Sequence, residues 1–178
     1  TDMSERFCKR FGLDMIRFTN SGTESLMYAI RAARAYSQRK AIVKIEGGYH
    51  GGYDPLQVSV KPALADIGPA DAPIGQVPFD VEAGTVHVAA YNDLPMLERI
   101  FAEHGRDLPA MVVEPVIENL AIVLPDEGYL AGVRALCDQY GVVLIFDEVK
   151  TGLTAGYAGA AHRLGVEPDL ITLAKSIG

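Results

Sequence analysis

The sequence predicts an α/β fold, a mostly parallel sheet with helices on both faces, and three observations predict it. Short β-rich apolar runs alternate with helical patterns along the chain. Several of those runs are apolar at nearly every position, as strands covered on both faces require. The helical patterns carry their own start and stop residues, Asn92-Asp93 before one and Gly141 after another. Strand alternating with helix calls for a parallel sheet joined by right-handed crossovers.

Met15 to Thr19, Ala41 to Glu46, Thr85 to Ala89, Ala110 to Glu114, Val142 to Phe146 and Leu170 to Ala174 read as strands. Between them Thr23 to about Tyr36 reads as a helix. A second helix starts after Asn92-Asp93, with Pro95 in its first turn and Leu97, Ile100 and Phe101 on one face. A third runs from Tyr129 to Tyr140, with Leu130, Val133, Leu136, Cys137 and Tyr140 at helical spacing, and stops at Gly141. Lys61 to Gly84 is rich in Pro, Gly, Ala and Asp and has no period, so it reads as a long surface excursion. Loops of that length usually serve a site or an interface. No internal repeat or domain boundary stands out.

A chain of 178 residues, 49% hydrophobic, suffices for one sizeable core. The net charge of −7, with Arg31, Arg34, Arg39 and Lys40 scattered rather than striped, excludes a nucleic-acid partner. No apolar run reaches the roughly 18 residues a membrane span needs, and no signal-peptide pattern is present. Cys8 and Cys137 have neither metal nor disulfide spacing, and Cys137 falls on an apolar helical pattern, so it reads as a buried free thiol. A cytoplasmic location follows. The chain starts at Thr1 and stops at Gly178 inside what reads as a loop, so it is expected to be a piece of something longer.

Ligands of open α/β sheets bind beyond the carboxyl ends of the strands, and four candidate groups fall there. Asn20-Ser21-Gly22-Thr23-Glu24 lies between a strand and a helix, with two hydroxyls, a glycine and free N–H groups that suit a phosphate. An ordinary helix cap uses the same residues. Asp147-Glu148 ends the most apolar run, either as a cap or as a functional carboxylate. Lys175 follows Leu170 to Ala174, where a lysine is either solvated or functional. Gly47-Gly48-Tyr49-His50-Gly51-Gly52 allows a backbone path that presents the Tyr49 ring, or is a plain flexible turn. Together, a phosphate cradle, a flat aromatic, a buried carboxylate and a lysine are what a pyridoxal-phosphate (PLP) site requires. The lysine forms the imine and the carboxylate keeps the pyridine nitrogen protonated, so that the ring is an electron sink.

Asn20 to Ser25, Tyr49-His50-Gly51, Glu114-Pro115-Val116, Phe146 to Gly152 and Pro168 to Lys175 occur in the order seen in class III aminotransferases. The chain resembles that family from about Arg17 to Gly178, and within it the subgroup containing glutamate-1-semialdehyde aminomutase. The resemblance implies PLP fold type I. It implies that Ser21, Gly22 and Thr23 bind the cofactor phosphate, that Tyr49 and Val149 pack on opposite ring faces, and that Asp147 pairs with the pyridine nitrogen. Asn119 would lie near the phenolic oxygen, and Lys175 would be the Schiff-base lysine and proton shuttle. The chain would be part of the large domain of a homodimer with active sites at the interface, the small C-terminal domain being absent from it. Two departures bear on the substrate. Lys61 to Gly75 lacks the Ala-Gly-Ser-Gly stretch associated with aminomutases, and Glu118-Asn119-Leu120 stands for the usual Gly-Asn-Met. Lys150, the rival lysine, reads as solvated or structural, and His50 as either a positioning or a plain loop residue. His87, His104 and His162 have no metal-ligand spacing.

Three functions are compatible with these residues. The first is a PLP transaminase acting between an amino acid or amine and a carbonyl acceptor. The second is an aminomutase, or a racemase, on the same scaffold. The third is a non-catalytic α/β binding domain, against which Lys175 and Asp147 together speak.

Overall fold

The computed structural model describes residues 2–177 apart from Ile74 and Phe79. Five strands form one sheet: β1 (Ile42–Ile45), β2 (Val86–Ala89), β3 (Ala110–Val113), β4 (Val143–Asp147) and β5 (Leu170–Thr172). Their order is β2-β1-β3-β4-β5 and every pairing is parallel. Among the described residues five α-helices accompany them: α1 (Asp2–Phe11), α2 (Gly22–Ser37), α3 (Leu94–His104), α4 (Tyr129–Tyr140) and α5 (Gly159–Leu164).

Side-chain alternation sorts the strands into two apolar layers. Ile42, Ala110, Val112 and Ile145 face α2 through Leu26, Ile30 and Ala33. Val43, Ile45, Met111, Val113, Leu144 and Phe146 face α3 and α4 through Leu97, Phe101, Leu130, Val133 and Cys137. Both faces are therefore covered, which is why β1, β3 and β4 are apolar at nearly every position. Burial pushes the Cys137 thiol up to about 12, so it is an inert core residue as its spacing implied.

The helix boundaries follow local chemistry. The Asp93 carboxylate accepts from the Met96 N–H at 2.9 Å and caps α3, and Gly141 ends α4 at φ 62°. The expected strand over Met15 to Thr19 does not form. Its backbone finds no ladder partner among the described residues, and Met15 and Phe18 stay exposed. An apolar run becomes a strand only beside another strand. Among its described residues, the excursion from Lys61 to Gly84 contains one 3₁₀ turn, Leu64–Asp66. Two helices lie where the sequence reading assigned nothing. Helix α1 carries an Asp2–Arg6 pair and stacked Phe7 and Phe11 at helical spacing, and α5 is only six residues long. No helix among the described residues is long and apolar enough to cross a membrane.

Candidate active site

The sheet changes winding direction between β1 and β3, since β2 lies on one side of β1 and β3 to β5 on the other. A crevice opens at such a point beyond the carboxyl ends of the strands. A cavity of about 320 Å³ lies there, at the lower end of the ~300–1,000 Å³ typical of small-molecule sites. Ser21, Gly22, Thr23, Tyr49, Asp147, Val149 and Lys175 all border it, joined by His50, Glu114 and Lys150. Asn119 is the one expected site residue that does not. Its amide donates to the Gly47 carbonyl at 3.2 Å and braces the turn behind Tyr49.

The start of α2 forms one wall. Ser21 is its cap, accepting from the Glu24 N–H at 3.1 Å, while Glu24 reaches back to the Asn20 N–H at 2.7 Å. The cap reading of this motif is therefore realised. The first N–H groups of a helix have no partner within it, and those of Gly22 and Thr23 find no protein acceptor among the described residues. The positive end of the helix faces the cavity. Gly22 is required by packing, since a Cβ there would lie 2.9 Å from Val149. Gly51, at φ 84°, has no room for a Cβ against Thr23, whose hydroxyl accepts from the Gly52 N–H at 3.2 Å. The glycine-rich turn is thus seated on the helix start rather than loose.

The floor is a set of buried charged groups. The carboxylate of Asp147, 4% exposed, takes the His50 Nδ1–H at 2.8 Å on one oxygen and the Val149 N–H at 3.0 Å on the other. A carboxylate only accepts, so this contact puts an imidazole proton on Nδ1. His50 Nε2 is buried without a partner among the described residues. Glu114 accepts from the Tyr49 N–H at 3.0 Å and lies 3.8 Å from the Lys150 ammonium. Burial pushes the Glu114 carboxyl above its ordinary value, against the pull of His50 and the Tyr49 N–H. Lys150 is thus half-buried on Glu114 at the cavity edge. Lys175 opens a short 3₁₀ turn after β5 at φ 53°, a conformation that non-glycine residues rarely adopt outside constrained sites.

Residues 1–178 match the family model of class III aminotransferases in full. The chain belongs to that family. It is 46% identical over 167 residues to a glutamate-1-semialdehyde 2,1-aminomutase from Nitratidesulfovibrio vulgaris (strain DP4), covering 94% of this chain and 39% of that protein. Its structure superposes on an omega-transaminase from Sphaerobacter thermophilus with a TM-score of 0.86 at 37% identity, over 96% of this chain and 40% of that one. A transaminase solved with PLP bound gives a TM-score of 0.87 at 33% identity, over 99% and 41% of the two chains. This class III aminotransferase chain therefore spans 39–41% of the length of these relatives. Its parallel sheet with helices on both faces is the fold type I of these enzymes.

Within the class III aminotransferase chain, Glu148 does different work from its neighbour Asp147. It is 1% exposed, and its two oxygens accept from Ala160 N–H (2.6 Å), Ala161 N–H (2.9 Å) and the Thr151 hydroxyl (3.0 Å). It points away from the cavity and ties α5 to the end of β4. Glu148→Ala leaves three donors without their acceptor, so a loss of about 2–4 kcal/mol is expected. Denaturant titration of the complete enzyme checks this, and an unchanged midpoint would remove the assignment.

Proposed function

We propose that the protein containing this chain is a PLP-dependent aminotransferase that moves an amino group between an amino acid or amine and a carbonyl acceptor. The observation that carries this reading is the convergence of Lys175, Asp147, Tyr49 and the start of α2 on one cavity. PLP is the cofactor that the family and its ligand-bound neighbour indicate. The residues present fit it. The Gly22 and Thr23 N–H groups at the α2 start have no protein acceptor among the described residues, and the packing of Gly22 on Val149 and Gly51 on Thr23 leaves bare backbone on that wall. When bound, its protonated pyridine ring acts as an electron sink for the bond breaking beside the substrate nitrogen.

In this reading Ser21, Gly22 and Thr23 hold the phosphate with the N–H groups and hydroxyls at the α2 start. The helix end adds about 0.3–1 kcal/mol where exposed and ~2 where partly buried. Tyr49, which is 42% exposed, and Val149 would enclose the pyridine between them. Asp147 keeps the ring nitrogen protonated, and the His50 N–H keeps the Asp147 carboxylate oriented. Asn119 would support the site only by bracing the Gly47 turn behind Tyr49. Lys175 Nζ would hold the cofactor and would be the group that carries the proton moved during turnover. The chain would be part of the large domain of a cytoplasmic homodimer. Its unpaired thiols accord with that compartment, and a monomeric mass in sedimentation would refute the dimer.

A second reading, a glutamate-1-semialdehyde-type aminomutase, is favoured by the 46% identity to such an enzyme. The transaminase reading rests on the departures at Lys61 to Gly75 and at Glu118-Asn119-Leu120, the two segments beside the Gly47–Tyr49 turn. Steady-state kinetics on the complete enzyme separate the two. A transaminase gives ping-pong kinetics with a separate donor and acceptor. Isomerisation of one substrate with no external acceptor overturns the transaminase reading in favour of the aminomutase.

A further inference from the structure

Lys44 is a lysine with 0% exposure in the middle of β1. It lies opposite Val112 and Val88 in the sheet, on the face that packs against α2. A cation there is costly unless its protons are used. Its ammonium donates to the Gly48 carbonyl at 3.1 Å and to the Val58 carbonyl at 2.6 Å. Burial pulls the Lys44 pKa down to about 8, with Glu46 and Glu114 supporting the charge. None of the chemistry assigned above uses this group.

The two carbonyls stand at the two ends of the loop that carries Tyr49 and His50. The Gly48–Tyr49 peptide is gripped from both sides, its C=O by Lys44 and its N–H by Glu114 at 3.0 Å. A peptide unit is planar, so holding both of its polar ends fixes its orientation, and with it the departure of the Tyr49 side chain. The far end of the same loop is held at Val58, next to Ser59, whose carbonyl accepts from the Gly47 N–H at 2.9 Å. Between these ends the loop rests on α2 through the Gly52–Thr23 bond.

We propose that Lys44 is a positioning residue for the active site: its ammonium clamps the ends of the 48–58 loop and so sets Tyr49 and His50 on the cavity. The proposal rests on the cavity being the PLP site. A lysine suits this place because it reaches two carbonyls from within a strand and brings no acceptor of its own. Methionine has similar length and no donor.

A double-mutant cycle on the complete enzyme tests the clamp, with the dissociation constant of PLP and the melting temperature read separately. Lys44→Met is expected to weaken PLP binding by about tenfold, the scale of one lost charge-assisted contact. In a Tyr49→Ala background the same change is expected to add little, because the ring that the clamp positions is already gone. Lys44→Met binding PLP like the wild type, or multiplying fully with Tyr49→Ala, overturns the clamp. A Tyr49→Ala variant with wild-type affinity overturns the cofactor reading instead, and the clamp with it. Where Lys44→Met does not fold, Lys44→Leu, which also removes every donor, takes its place in the cycle under the same criteria.

Discussion

Lys175→Ala in the complete enzyme is expected to lower kcat by at least about 10²–10⁴-fold, the range that a positioned general acid–base supplies. Two lysines border the cavity, and their settings differ. The Lys150 side chain lies 3.8 Å from the buried Glu114 carboxyl, which holds its Nζ at that edge of the cavity. Lys175 has no ion pair among the described residues and is presented by a backbone at φ 53° at the end of β5. Borohydride reduction followed by peptide mapping is therefore expected to place the pyridoxyl group on Lys175, and Lys175→Ala should take up no label. A label on Lys150 in the unmodified enzyme would falsify the assignment.

How far the site could be read from the sequence depended on what kind of information each residue carries. Val142 to Phe146 announced a strand covered on both faces, because both faces of the sheet are in fact packed and each position had to be apolar. Tyr129 to Tyr140 and Asp93 were legible for the same reason, periodicity and capping being local properties. Met15 to Thr19 had a strand's composition, but pairing is not local, and no neighbour supplies it among the described residues. The motif residues around the cavity could be named one by one, but not the contacts among them. His50 and Asp147 are 97 positions apart, and nothing in either segment declares their 2.8 Å bond. Glu148 looked like a twin of Asp147, yet successive residues at a strand end point to opposite sides, and its partners are amides of a six-residue helix with no sequence signal of its own. Lys44 left a trace, a charge within Ile42-Val43-Lys44-Ile45. Its meaning depended on two carbonyls that only the folded loop brings to it.

Asp147→Asn separates the electrostatic part of the site from its shape. The side chain is 4% exposed at the end of β4, with both oxygens engaged. Asparagine has nearly the same volume, and its carbonyl oxygen can keep the Val149 N–H, so the turn carrying Val149 is expected to survive. The contact to His50 changes sign. The amide NH₂ would face Nδ1 as a donor, and the imidazole must then carry its proton on Nε2, the atom without a partner among the described residues. That rearrangement costs some stability but leaves the cavity its size. In the proposed reading, what disappears is the negative charge against the pyridine nitrogen. An opposite charge at contact shifts a pKa by about 1–3 units, each unit being about 1.4 kcal/mol. Turnover is therefore expected to fall by roughly 10- to 1,000-fold, while PLP still binds through the α2 start and Tyr49. Spectrophotometric titration with PLP, followed by steady-state kinetics on the same preparation, measures the two effects independently. Near-normal turnover in Asp147→Asn would mean that the charge of Asp147 has no part in the chemistry, and that its work is to hold His50 and Val149 in place.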